Sequence, residues 1–157
     1  MRQASAIIAL AACAACAACD SGGSSAPELA DGVYEVERVI DGDTVVLAGG
    51  THVRLIGVDT PEVGDCLAAE ATALTRALVD HQHVYVDICE DEPEDRYGRT
   101  LAFVFSGTAH VNARLLESGL AELLYLSPCQ SYVQAFAALE AQAREAGLGI
   151  WAQCPPP

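Results

Sequence analysis

The sequence contains no lysine and few aromatic residues. Its eight basic residues are all arginine, they face 22 acidic residues, and the formal net charge is −14. Because phosphate backbones attract cationic surfaces, this balance argues against a protein that coats nucleic acid by bulk electrostatics. Any site for an anionic ligand must be local, and a few arginines or a bound divalent cation must overcome a repulsive field there.

Residues 1–19 have the pattern of an export signal: one basic residue, an apolar stretch, then small residues ending in cysteine. The apolar stretch is well short of the ~20 residues that a membrane span requires. The segment LAAC at 10–13 is typical of the lipidation signal of bacterial lipoproteins, and Cys16 and Cys19 repeat its Ala-Ala-Cys ending. We predict lipidation at Cys19 or Cys13, with Cys19 slightly favoured because a polar segment follows it. An ordinary secretory signal with incidental cysteines is the alternative.

The chain after this leader is long enough for one domain with a core and too short for two. Residues 20–30 are small and polar and predict a flexible linker. We predict a folded domain over 31–153 and a short tail over 154–157.

The hydrophobic pattern of the domain predicts a small, partly open, five-stranded β-barrel with about three α-helices, an all-β barrel with α+β character. Alternating or β-branched runs predict strands at 33–40, 44–47, 53–58, 83–88, 101–105 and 121–126. Helical spacing predicts helices at 66–79, 111–117 and 132–146.

Three charged motifs fall at predicted loops or strand ends: DGDT at 41–44, RLIGVDTPE at 54–62 and DRYGR at 95–99. Alone, the first is an everyday turn pair and the third a surface turn. In the second, strand alternation places Arg54 on the barrel wall and leaves Asp59, Thr60 and Glu62 in the following loop. An arginine on a central strand requires an anionic partner, either a carboxylate or a ligand phosphate.

Taken together, in this order, the three motifs resemble the thermonuclease family, whose type member is staphylococcal nuclease. The resemblance runs from about residue 31 to residue 151 and includes the segments EAQAR at 140–144 and GIW at 149–151. It implies an OB-fold and a phosphodiesterase that hydrolyses DNA or RNA at the 5′ oxygen. The expected products carry 3′-phosphates, and little sequence preference is expected.

The resemblance also implies a Ca²⁺ site and a phosphodiester site in one pocket. Carboxylate and carbonyl oxygens suit a hard cation, and the implied ligands are Asp43, Asp59 and the carbonyl of Thr60, with Asp41 close behind them. The catalytic positions are Glu62, which would position or deprotonate the attacking water, and two arginines that would hold the phosphate, Arg54 and Arg99. A further match implies a substrate contact at Tyr97, and looser matches imply contacts at Arg96 and Tyr125.

The expected protein is a monomer, held by its lipid at the cell envelope, either periplasm-facing or at the cell surface, with DNA or RNA as substrate. Two other readings compete with a nuclease. One is a non-catalytic OB-fold module that binds single-stranded nucleic acid at the envelope. The other is a structural lipoprotein in which calcium and salt bridges only hold loops.

The chain departs from the family pattern in its acidic charge, in Ser127 where a second aromatic is expected, and in a shorter loop after Glu62. Outside the leader it has four cysteines, an even number that predicts two disulfides in one of three connectivities. Free thiols are the alternative, and a zinc site is disfavoured because no paired C-x2-C spacing occurs. On the family fold, the implied pairs are Cys89 with Cys129 and Cys66 with Cys154.

Overall fold

The computed structural model describes residues 29–124, 129 and 131–155. The leader with Cys13 and Cys19, nearly all of the linker, and Tyr125 lie outside the described residues. The elements in chain order are β1 (Gly32–Val39), β2 (Thr44–Leu47), β3 (His52–Leu55), β4 (Val58–Asp59), α1 (Ala68–Val79), β5 (His83–Ile88), β6 (Thr100–Ser106), β7 (Ala109–His110), α2 (Val111–Glu117), β8 (Glu122–Leu123), α3 (Val133–Glu145) and α4 (Ile150–Gln153).

Five strands form a barrel, as predicted, but the barrel is closed where a partly open one was expected. Strands β1, β2 and β3 form an antiparallel meander, β1 also pairs with β5, and β5 pairs with β6. A parallel pairing of β3 with β6, with Arg54 beside Leu101, closes the sheet on itself. This closed mixed barrel with its helices confirms the predicted OB-type α+β fold.

Two predicted strands differ from the structure. The segment predicted as 53–58 is two strands, because Gly57 bends the chain with φ 78° and a Cβ there would lie 2.9 Å from the Phe136 ring. Of the segment predicted as 121–126, the described part forms only β8, which pairs with β4 outside the barrel. Asp59, expected in a loop, is therefore a strand residue opposite Glu122.

Helix α2 has its predicted bounds, and α3 differs from its prediction by one residue at each end. Helix α1 begins at Ala68 and not at Cys66, because Leu67 has a left-handed backbone with φ 64°. The short helix α4 was not predicted from the sequence. No helix in the described part of the chain is long and apolar enough to cross a membrane.

The barrel interior and the inner faces of the helices form one apolar core. Its largest fully buried side chains include Phe136, Leu47, Leu55, Ile56, Leu115 and Leu116. Asn112 of α2 is fully buried among them. Its Oδ1 accepts from the Val104 amide at 3.0 Å, and its Nδ2 donates to the Ile56 carbonyl at 2.8 Å. One amide side chain thus joins α2, β6 and the segment leading to β4.

An aromatic cluster surrounds His110, at the end of β7. Both imidazole nitrogens are inaccessible to solvent and have no hydrogen-bond partner among the described residues. Burial lowers the pKa of His110 to about 4, although the charge of Glu117 opposes part of that shift. The imidazole is therefore neutral at pH 7 and packs against the rings of Phe103, Phe105, Tyr132 and Phe136.

Two disulfides are formed, with the pairing that the family fold implied. Cys66 is bridged to Cys154 with Cα atoms 5.7 Å apart, and Cys89 to Cys129 with Cα atoms 5.9 Å apart. The first joins the segment before α1 to the residue after α4, and the second joins the end of β5 to residue 129. The first bridge therefore fastens the loop before α1 to the segment after α4, and the second fastens residue 129 to the barrel.

Candidate active site

The turn between β1 and β2 carries the DGDT motif and is fixed from three sides. The Asp43 amide donates to Asp41 Oδ1 at 3.1 Å, within the turn. The Thr75 hydroxyl, fully buried on α1, donates to the Gly42 carbonyl at 2.6 Å. A Cβ on Gly42 would lie 2.7 Å from atoms of the Thr60 side chain, so only glycine lets the two loops approach this closely.

Arg54 lies between two carboxylates, Asp43 from the turn before β2 and Asp59 from β4. Its Nε is 3.2 Å from Asp43 Oδ1, and its Nη2 is 2.9 Å from Asp59 Oδ1. The Arg54 and Asp43 side chains are each 8% exposed, whereas that of Asp59 is 54% exposed. The cluster therefore has a buried inner half and an open outer half.

The Arg54 guanidinium is also bonded to the backbone. Nη1 donates to the Leu55 carbonyl at 2.6 Å and to the Val58 carbonyl at 2.8 Å. Strand alternation does not hold here, because residues 53–56 are all buried where β3 closes the barrel. Arg54 is therefore enclosed in the wall and does not project freely from it.

Thr60 connects the second motif to the first. Its backbone amide and its hydroxyl both donate to Asp43 Oδ2, at 2.9 and 2.8 Å. Burial, together with the nearby negative charge of Asp43, raises the pKa of Asp41. Arg54 pairs with Asp43 and Asp59, and Asp41 adds a third carboxylate beside Asp43, so the site carries an excess of negative charge that a cation would offset.

The side chains of the cluster supply only some of the oxygen ligands that a hard cation requires. Asp43, Asp59 and the Thr60 backbone meet in one place and offer oxygen ligands. Among the described residues no group of three or more His, Cys, Asp or Glu side chains is arranged to hold a metal alone. A bound cation would therefore complete its coordination with backbone oxygen and water, which is the habit of Ca²⁺.

Glu62 lies just beyond this cluster, in an exposed loop. Its side chain makes no hydrogen bond or ion pair with the described residues, and the Asp65 amide donates to its carbonyl at 2.8 Å. A cleft of about 690 Å³ opens beside it. The cleft is lined by Asp59, Thr60, Pro61, Glu62, Asp65, Cys66, Glu122, Ile150, Trp151, Cys154 and Pro155.

The DRYGR motif is a turn organised by Asp95. One carboxylate oxygen accepts from the amides of Tyr97 and Arg99 at 2.8 and 3.0 Å, and the other accepts from Arg99 Nε at 2.7 Å. Burial alone would raise the pKa of Asp95, but these hydrogen bonds and the Arg99 charge outweigh it and lower that pKa. The Arg96 and Arg99 guanidiniums lie 4.7 and 5.4 Å from the centre of the exposed Tyr97 ring.

The structure brings the first two motifs into one cluster and leaves the third beside it. Arg99 precedes Thr100, which pairs with Val53 next to Arg54, so both arginines lie at the seam between β3 and β6. In the described residues, however, no hydrogen bond or ion pair joins Arg99 to the carboxylate cluster. Arg99 is instead held by Asp95, with its side chain 30% exposed.

Sequence reasoning missed two residues that shape the site, Thr75 and Glu122. Thr75 is one of several threonines, and nothing in its helical context indicates that its hydroxyl reaches the Gly42 carbonyl. Glu122 lies opposite Asp59 through a two-residue pairing, which is too short to leave a periodic signal.

A small barrel with carboxylates and arginines at its closure seam defines a class of OB-fold proteins with a site for an anionic ligand. Residues 52–153 match the family model described as "Staphylococcal nuclease homologue". The chain is 35% identical over 127 residues to the thermonuclease of Staphylococcus intermedius, covering 75% of each chain. The thermonuclease of Staphylococcus hyicus gives the same identity and coverage. Endonuclease YncB of Bacillus subtilis is 32% identical over 128 residues, covering 75% of this chain and 61% of YncB.

The chain belongs to the staphylococcal nuclease homologue family. It is accordingly a nuclease, a hydrolase of phosphodiester bonds.

Proposed function

We propose that the protein is a calcium-dependent nuclease that hydrolyses DNA, RNA or both to 3′-phosphate products with low sequence specificity. The observation that carries this proposal is the cluster in which Arg54 bridges Asp43 and Asp59 while Glu62 stands free beside it. It combines phosphate recognition, cation ligands and an unengaged carboxylate within one short stretch of chain.

The carboxylate cluster supports the calcium assignment. Asp43, Asp59 and the Thr60 carbonyl would hold the cation, with Asp41 adding negative charge behind them. Bound there, Ca²⁺ would neutralise part of the phosphate charge. It would also stabilise the additional negative charge that develops on the phosphate in the transition state. The hydrogen bonds from Thr60 to Asp43 hold that carboxylate in place before any cation arrives.

The two arginines provide the remaining positive charge. Three of the five N–H groups of Arg54 donate hydrogen bonds, two from Nη1 to carbonyls and one from Nη2 to Asp59, and Nε forms an ion pair with Asp43. The second hydrogen on Nη2 remains for a phosphate oxygen. Arg99 is more exposed and is held by a carboxylate on its own loop, so it can exchange that partner for a phosphate. Tyr97 and Arg96 are proposed to contact the substrate at its edge, and their position on the same loop as Arg99 supports this. Tyr125, outside the described residues, remains a further proposed contact.

Glu62 is the proposed general base. Its side chain is exposed and unpaired among the described residues, so it can accept a proton from a water that approaches the phosphorus. Arg54 and Arg99 would meanwhile stabilise the added charge on the phosphate oxygens.

Cleavage of a single-stranded DNA oligonucleotide by the purified protein tests the proposal. We expect cleavage with Ca²⁺ that leaves 3′-phosphate ends, and none with EDTA. Glu62→Gln should lower kcat by roughly 100-fold or more, which is the usual contribution of a general base. Glu70→Gln, on the exposed start of α1, is the matched control and should keep full activity. Products with 5′-phosphate ends, or a Glu62→Gln variant with full activity, would refute this mechanism.

We further propose that the protein acts as a monomer at the bacterial cell envelope, lipidated at Cys19 or Cys13 and tethered by residues 20–30 to the domain at 31–153. The leader pattern supports this. Incorporation of labelled fatty acid is expected in the exported protein and should be lost in Cys19→Ser or, if the other site is used, in Cys13→Ser. An exported protein that takes up no label would contradict lipidation.

A further inference from the structure

The Cys66–Cys154 disulfide borders the proposed catalytic base. Cys66 is four residues after Glu62, and both cysteines line the same cleft as Glu62. The other disulfide lies elsewhere: Cys89 follows β5, is 4% exposed and belongs to the core. The two bridges therefore differ in which part of the molecule they hold.

The position of Glu62 is fixed by the residues on either side of it in the chain and not by contacts of its own side chain. Its side chain has no hydrogen-bond or ion-pair partner in the described residues, and residues 62–66 are all exposed. On the N-terminal side the anchor is Thr60, buried and doubly bonded to Asp43. On the other side Gly64, with φ 102°, and Leu67, with φ 64°, interrupt regular structure before α1. The disulfide at Cys66 is thus a covalent anchor between Glu62 and the helix.

The partner cysteine is attached to a rigid part of the molecule. Cys154 directly follows α4, whose first residue donates its amide to the Gly119 carbonyl at 2.8 Å. Gly119 and Gly149 touch through their backbones, so a Cβ on either would overlap the other chain segment. Trp151 packs beneath the Arg144 guanidinium, which lies 3.8 Å from its ring centre. The disulfide therefore ties the Glu62 loop to a fixed wall.

We propose that the Cys66–Cys154 disulfide is a positioning element of the active site: it holds the Glu62 loop, so that turnover is fast only in the oxidised protein. This inference rests on the proposed catalytic role of Glu62. Formation of the bridge removes two protons and two electrons from the two thiols, and a disulfide oxidant such as glutathione disulfide accepts them and becomes two thiols. A nuclease built this way remains slow in a reducing cytoplasm and becomes active after export to an oxidising compartment.

Two single-bridge proteins test the proposal, each made as the full chain and purified after export. Cys89→Ser/Cys129→Ser keeps only the bridge beside Glu62, and Cys66→Ser/Cys154→Ser keeps only the distant one. For each we would measure kcat, KM and calcium affinity when oxidised, after reduction by dithiothreitol, and after reoxidation by glutathione disulfide. Near-UV circular dichroism gives the folded fraction, and kcat is expressed per folded molecule.

We expect reduction of Cys89→Ser/Cys129→Ser to lower kcat at least ten-fold and reoxidation to restore it, with KM and calcium affinity changed less than two-fold. Cys66→Ser/Cys154→Ser should have a low kcat in every redox state. Equal kcat per folded molecule with and without the Cys66–Cys154 bridge would overturn the proposal, even if stability falls. Failure of the oxidised natural protein to cleave with calcium would instead refute the proposed function.

Discussion

At the scale of single residues, Arg54 occupies a position whose contacts only an arginine side chain can make. It is buried, donates to two carbonyls, and pairs with two carboxylates. A lysine ammonium is a single point and cannot reproduce that planar fork. We expect Arg54→Lys to lower kcat/KM by 100-fold or more and to destabilise the fold by about 2–4 kcal/mol, because buried acceptors lose their donors. Nuclease assays and urea unfolding measure the two effects. Arg38→Lys, on the exposed side of β1, should change neither.

His110 makes stability depend on pH. Its folded pKa of about 4 is below its ordinary value of 6.5, so the unfolded chain binds the proton more tightly. The stability that comes from burying the neutral ring is complete above pH 6.5 and is lost as the pH falls towards 4. The loss should reach roughly 1–3 kcal/mol, which is less than the full shift would give because the ring is only partly buried. Carboxylates titrate in the same range, so the measurement is the difference in urea unfolding between the natural protein and His110→Phe. Parallel pH profiles for the two would contradict this assignment.

At the scale of elements, α1 supports the turn at residues 41–44, part of the proposed calcium site, through one hydroxyl. Thr75→Val keeps the side-chain shape but leaves the buried Gly42 carbonyl without its donor. We expect calcium affinity to fall about ten-fold, as is usual when a group that orients metal ligands is lost. Thr72→Val is the matched control, because the Thr72 hydroxyl bonds only to Ala68 within the same helix. Calcium titration of both variants measures the difference in affinity. Equal affinities would contradict a supporting role for α1.

The elements also show how far sequence reasoning reaches. Strands and helices with clear periodicity, such as β5 and α2, have their predicted bounds because the local spacing of apolar residues determines them. The split at Gly57 and the short β4–β8 pair could not be predicted, because they depend on Phe136 and on a contact between distant segments. For the site, the motifs indicated Asp43, Arg54 and Asp59. They did not indicate Thr75, or Asn112 at the centre of the core, whose roles depend on tertiary contacts.

At the scale of the whole molecule, the net charge of −14 opposes the approach of a polyanionic substrate. Added salt screens that repulsion over about 10 Å at 0.1 M ionic strength. We expect KM for single-stranded DNA to fall or stay within two-fold as KCl is raised from about 20 to about 150 mM at constant free calcium, the opposite of the trend for a cationic nucleic-acid binder. A KM that rises steeply with salt would show that local arginine contacts dominate binding.

The parallel seam between β3 and β6 has a consequence for how the enzyme forms. It joins Arg54 to Leu101, which are far apart in the chain, and the two arginines proposed to bind phosphate lie along it. Contacts between distant residues form late in folding because the entropy of closing the intervening loop must be lost first. The proposed catalytic cluster is therefore assembled only when the barrel closes. Loss of activity and global unfolding should follow a single transition, and no partly folded intermediate of this chain should degrade nucleic acid.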